Sequence, residues 1–184
     1  MTILTACLCL PLWATHNRGG EITYKQLDNL TYLVTITTFT YTLGQADRPS
    51  IYVYWGDNTI DTINRKNGLA FGGEIIGDTT KRTFITNNTP IRDRALILST
   101  WKTQTETKGV LNIPNSVNVV FSIQSTLIIN ANLGINNTPV LANYPIGKAF
   151  VGERFIHNPA AFDPDGDSIA YGLTACRGEN GAAH

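Results

Sequence analysis

Three aspartates at alternate positions, in the run Asp163-Pro164-Asp165-Gly166-Asp167-Ser168, are the feature of this sequence best suited to chemistry. Carboxylates spaced in this way can turn toward one point, and Ca2+, a hard cation, takes about six to eight oxygen ligands. The run is not an EF-hand loop. Its glycine falls between the second and third acids, and Thr174 stands where a bidentate glutamate would sit. The other reading is a tight turn in which the aspartates accept hydrogen bonds from their own backbone, with a strand following at Ser168-Ile169-Ala170-Tyr171.

Other chemical constellations are weaker. His16, His157 and His184 are scattered without metal-ligand spacing and read as surface or junction residues. Asp57 and Asp61 could be imagined as a glycosidase pair, but they flank a turn after a strand and nothing positions a sugar between them. Tyr52, Tyr54, Trp55 and Trp101 could offer a platform for sugar stacking. Alternation along a strand instead puts Val53 with Trp55 on one face and Tyr52 with Tyr54 on the other, which places Trp55 in a core. Cys176 has only Arg177 as a basic neighbour and is not expected to act as a nucleophile. The chain therefore reads as a non-enzyme.

The elements that must carry these residues are strands. Fourteen basic and fourteen acidic side chains cancel over 184 residues, and charged residues are 15% of the chain, so nothing recommends nucleic acid as a partner. Threonine, asparagine, isoleucine and glycine are abundant and long runs of helix formers are missing, which predicts an all-β protein.

Residues 1–14 hold an apolar stretch ending in Ala14 ahead of Thr15-His16-Asn17-Arg18, and they read as an export signal cleaved after Ala14. Leu4-Thr5-Ala6-Cys7 also looks like a lipoprotein cleavage box, although very little chain precedes it. No other segment approaches the ~20 apolar residues of a membrane span. Strands are predicted at 21–27 and 31–41 around the turn Asp28-Asn29, and at 51–55 before the corner Gly56-Asp57-Asn58. Short strands are expected at 74–77 and 82–86 within a Gly-rich middle, and longer ones at 95–101 and 118–129.

Together residues 15–135 form one predicted β-sandwich. Pro139, in Asn136-Asn137-Thr138-Pro139-Val140-Leu141, marks a stiff boundary, because it cannot donate to a ladder and biases Thr138 toward an extended conformation. Residues 136–184 then read as the start of a second β-domain. They fall short of the ~100 residues a sandwich usually needs, so this domain is expected to be truncated.

Several segments carry a family resemblance as a set. They are Ala14-Thr15-His16-Asn17-Arg18-Gly19-Gly20-Glu21-Ile22-Thr23-Tyr24, Ala46-Asp47-Arg48-Pro49, Tyr54-Trp55-Gly56-Asp57, Leu111-Asn112-Ile113-Pro114-Asn115-Ser116-Val117-Asn118, the Asn136–Leu141 boundary, Phe155-Ile156-His157-Asn158-Pro159, Phe162-Asp163-Pro164-Asp165-Gly166-Asp167-Ser168 and Cys176-Arg177-Gly178. The chain resembles large secreted, modular surface proteins of Bacteroidetes associated with gliding motility and type IX secretion. That likeness implies immunoglobulin-fold domains of PKD-like and cadherin-like type, at the outer cell surface or secreted, and mostly without a defined activity. Likeness to cadherin-like repeats also implies a Ca2+ site at the domain junction, with Asn136, Asn137 and Glu153 joining Asp163, Asp165 and Asp167.

The sequence departs from the family pattern in three places. Asn58 follows Trp-Gly-Asp where a glycine is usual, and Phe150 stands where a cysteine often precedes Val-Gly, leaving Cys176 without its implied disulfide partner. Residues 87–104 lack the His-Thr-Tyr-Pro-Gly segment common in PKD-like repeats. The expectation is a non-catalytic structural or adhesive module, its partners being other domains of the same long chain and surface glycans or proteins. The alternative is an accessory carbohydrate-binding or scaffold domain of an exported hydrolase. An exposed aromatic row on one sheet would favour the alternative, and carboxylates at the junction the first reading.

Overall fold

The computed structural model describes residues 17–44, 48–67, 72–77, 80–90, 95–104, 110, 113–116, 119–130, 132, 134–145 and 147–176. The leader reading of 1–14, the Cys7 alternative, His16, His184 and Arg177 lie outside these residues. Among the described residues the regular structure is strand, in antiparallel sheets and with no α-helix, as the composition predicts. No helix there is long and apolar enough to cross a membrane.

β1 (Asn17–Asp28) and β2 (Thr31–Tyr41) form the hairpin expected from the sequence. Its turn is set by Asp28, whose Oδ1 accepts the backbone N–H groups of Leu30 and Thr31 at 3.1 Å each. β3 (Ser50–Tyr54) and β4 (Ile60–Asn64) form a second hairpin. At its corner Gly56 and Asn58 take left-handed φ values of 70° and 68°, and Asp57 accepts both the N–H and the hydroxyl of Thr59. Asn58 thus adopts a left-handed conformation in which glycine is the least strained residue.

β5 (Glu74–Ile76) matches the short strand expected there. β6 (Thr80–Pro90) is longer than its predicted 82–86, because it pairs along the whole of β2, from Tyr41↔Thr80 to Thr31↔Pro90. Asn87 and Asn88 are turn formers that a full-length partner strand holds extended. β7 (Ala95–Gln104) and β8 (Val120–Ile128) pair with a register shift between Thr100 and Thr103.

The strand orders are β1-β2-β6-β5 in a first sheet and β4-β3-β7-β8 in a second. One apolar cluster joins the sheets: Ile22, Tyr32, Val34 and Ile36 from the first meet Ile51, Val53, Trp55, Ile63 and Leu127 from the second. Burying each of the larger of these side chains contributes about 1.5–3 kcal/mol. The alternation read from the sequence holds on β3, where Val53 is fully buried beside Ile51 while Tyr52 is exposed. Trp55 is in the core, and its indole N–H donates to Asp61 Oδ2 at 2.7 Å. β1 lies close to β8 where Gly20 has no side chain, since a Cβ there would stand 3.0 Å from Ile123 Cδ1 and 3.1 Å from Thr37 O.

Beyond residue 138 the regular structure among the described residues is the pair β9 (Val140–Leu141) and β10 (Ala161–Phe162). The strand expected at 168–171 is not formed, because no neighbouring strand among the described residues pairs with it. Phe150, Val151, Tyr171 and Leu173 are accordingly exposed.

Candidate functional site

Phe39 is fully buried, yet it lies on the face of β2 opposite the core residues Val34 and Ile36. Gly19, Phe39, Arg82 and Glu74 form one cross-strand row through β1, β2, β6 and β5. The cover for that row comes from the segment after the boundary. The Tyr144 ring stands 5.8 Å from that of Phe39, and the Arg82 guanidinium lies over Tyr144 at 4.6 Å while donating from Nε and Nη2 to Glu74. Pro145 packs on Gly19, where a Cβ would come within 3.3 Å of its ring. The chain after residue 138 is therefore docked on the outer face of the first sheet.

The boundary residues run along the edge of β1. Thr138 N–H donates to Tyr24 O at 3.1 Å, and Tyr24 N–H donates to Thr138 Oγ1 at 2.9 Å. Gln26 N–H donates to Asn137 Oδ1 at 2.8 Å, and Asn136 N–H donates to Gln26 Oε1 at 3.0 Å. Side-chain oxygens of the boundary thus accept the N–H groups that an edge strand would otherwise present to solvent or to another chain.

The aspartate run meets this edge. Asn137 donates its backbone N–H to Asp165 Oδ2 at 2.6 Å and its Nδ2 to Asp165 Oδ1 at 2.7 Å. Asp163 Oδ1 accepts the N–H groups of Asp165 at 2.8 Å and Asp167 at 3.2 Å, while Gly166 turns the chain with φ of 85°. The self-bonded turn is therefore present, without the strand expected after it. Tyr24 lies within reach of these charges: burial first, then Tyr32, Asp163 and Asp165, push its phenol above the ordinary value.

Of the residues expected at a Ca2+ site, the structure brings Asn137 to Asp165 and ties Asn136 and Asn137 to β1. Glu153 is exposed, and its N–H donates to Phe150 O at 3.2 Å. Among the described residues no three carboxylate, histidine or cysteine groups are arranged to hold a metal, and as the side chains stand the N–H groups of Asn137 take the oxygens of Asp165 that a cation would need.

Asp57 and Asp61 are each committed to structural bonds, to Thr59 and Trp55. With Trp55 in the core and the side chain of Trp101 outside the described part, Tyr52 and Tyr54 are what remains of the aromatic platform. Cys176 is exposed and unbridged.

Sequence reasoning did not single out Tyr24, Gln26 or Thr138, nor Phe39 and Tyr144. A signal for Phe39 was present: Ile36-Thr37-Thr38-Phe39 puts apolar side chains on both faces of β2, so both faces need cover. Comparison with protein-family models, with curated proteins and with solved structures finds no match.

Proposed function

We propose that this chain is a non-catalytic structural or adhesive module of a secreted or surface-exposed protein, with an immunoglobulin-like sandwich joined stiffly to the segment that follows. Two four-stranded antiparallel sheets sharing one core, with the chain passing repeatedly between them, support the immunoglobulin-like reading. The apolar stretch within residues 1–14, read as an export signal, supports export. The observation that carries the functional reading is the doubly anchored junction, where Asn137 and Thr138 bond to the edge of β1 and Tyr144 covers Phe39. Other domains of the same long chain are the partners such a joint would serve.

Ca2+ enters this proposal as a second stage of stiffening. An incoming cation would displace the N–H groups of Asn137 from Asp165, with Asp163 and Asp167 as further oxygen donors. Amide hydrogen exchange tests the joint: Tyr24, Gln26, Asn137 and Thr138 should be protected above open-chain rates, and unprotected amides at all of them would overturn it. Calorimetric titration of Ca2+ tests the ion. Saturable heat and a raised melting temperature, both lost in the Asp165→Ala, Asp167→Ala double variant, are expected. No heat and no shift would remove calcium from the proposal and leave the hydrogen-bonded joint standing.

A further inference from the structure

The residues after the aspartate turn, Ser168-Ile169-Ala170-Tyr171-Gly172-Leu173-Thr174, alternate as a strand does, yet they pair with no strand among the described residues. In a strand Ile169, Tyr171 and Leu173 would share one side, and Tyr171 and Leu173 are exposed. No residue from Asp167 to Leu173 takes a left-handed φ, so the backbone is free to extend. We propose that this segment of one copy adds as an antiparallel strand to the edge of β4 in a second copy, joining copies of the chain head to tail. The inference rests neither on calcium nor on the joint described above.

Among the sheet edges, β4 is the one left open. Along β1 the boundary residues take the N–H groups of Tyr24 and Gln26, β5 is very short, and β8 is drawn against β1 at Gly20. On β4 Ile60, Asp61, Thr62 and Asn64 are exposed while Ile63 is buried, and its register with β3 runs without a shift. The ladder shows which backbone groups are open. Trp55 N–H donates to Thr59 O at 3.1 Å and Arg65 N–H to Pro49 O at 2.8 Å, so by period 2 Asp61 and Ile63 also turn their groups toward β3. Ile60, Thr62 and Asn64 turn theirs outward, which is what an added strand requires.

Charge and side-chain type select the same register. Lys66 and Asp167 are both exposed, and setting them opposite each other in an antiparallel pair brings Ile169 to Asn64, Tyr171 to Thr62 and Leu173 to Ile60. These are the β4 residues with outward backbone groups, so each pair can exchange two hydrogen bonds. Thr62 is paired with Tyr52 and Ile60 with Tyr54, on the face away from the core, where Tyr52 and Ile60 are 52% and 54% exposed. Tyr171 and Leu173 would cover them. On the core side, beside Asp61 and Ile63, the incoming residues are the small Gly172 and Ala170. A slip of one residue would turn the apolar side chains to the wrong face. Donor and acceptor are different surfaces of one chain, so the contact is heterologous and propagates from copy to copy.

The test is sedimentation velocity of the full chain between about 10 µM and 1 mM. Dimers and longer chains that grow with concentration are expected, and a monomer throughout would overturn the proposal. Tyr171→Pro blocks the donor and Thr62→Pro the acceptor; Thr62 turns its N–H outward, so the second change leaves the ladder with β3 intact. Each variant alone should associate about tenfold more weakly or less still. Their mixture should form a dimer that goes no further, since the Thr62→Pro copy keeps its donor and the Tyr171→Pro copy its acceptor. Wild-type association of either folded variant, or a mixture of folded variants that stays monomeric, would overturn the proposal. Should Thr62→Pro fail to fold in melting curves, the charge pair decides. Lys66→Glu should weaken association about threefold and Asp167→Lys in the same chain should restore it, whereas no change, or a loss that is not restored, would overturn the register.

Discussion

Asp165 is held by Asn137 through both of its carboxylate oxygens, one bonded to the backbone N–H and the other to the side-chain Nδ2. The two residues stand 28 apart in the chain, one before the proline at the boundary and one in the aspartate turn. Asn137 also accepts the N–H of Gln26, so a single asparagine ties the turn to the sandwich.

This arrangement makes Asn137 and Asp165 energetically coupled. Asn137→Ala and Asp165→Ala should each cost about 0.5–1.5 kcal/mol, and the double variant should cost less than their sum. Denaturant melts of the four proteins measure the coupling, and strict additivity would show that the contact carries no stability.

Phe39→Ala removes a fully buried ring that belongs to the joint rather than to the intersheet core. A loss of about 3–5 kcal/mol is expected, together with increased proteolytic cutting near Tyr144. Val53→Ala, in the intersheet core, should destabilise without that selective cutting.

A methyl group on Gly20 would stand 3.0 Å from Ile123 Cδ1 and 3.1 Å from the carbonyl of Thr37, closer than side chains ordinarily pack. Gly20→Ala should destabilise by about 1–3 kcal/mol despite the better strand propensity of alanine. An unchanged denaturation midpoint would mean that β1 and β8 can part without cost.

Glu21 should make stability depend on pH. Burial pushes its carboxyl above the ordinary 4.5, against the hydroxyl of Thr37 and the charge of Arg82, which lower it. The folded state therefore holds this proton more tightly than the unfolded one. Its contribution is fully present below pH 4.5 and is lost as pH rises through the raised folded value. Glu21→Gln should raise the melting temperature at neutral pH, with the gain shrinking as the pH falls toward 4.5.

Much of the sandwich was legible because its strands alternate. Ile51, Val53 and Trp55 point one way and Tyr52 the other, as period-2 reasoning requires. The length of β6 was not legible, since Asn87 and Asn88 favour turns and are extended through pairing with β2, a partner distant in sequence. At the junction, the aspartate turn and the meeting of Asn137 with Asp165 were within reach of sequence reasoning, but the edge of β1 was not. Apart from the side-chain Oε1 of Gln26, which accepts the N–H of Asn136, Tyr24 and Gln26 contribute backbone groups there, and backbone groups look alike at every position.

The boundary residues lie along β1 with their hydrogen bonds directed across it, at Tyr24 and at Gln26. A pull along the chain through this stretch would act at right angles to those bonds. They would then share the load and have to rupture together, whereas bonds aligned with the pull would open one after another like a zip. Under a pull parallel to β1 the bonds at Tyr24 and Gln26 would be loaded together, whereas a pull that lifts the chain after Thr138 away from the sheet would open them in turn, because the boundary runs antiparallel to β1.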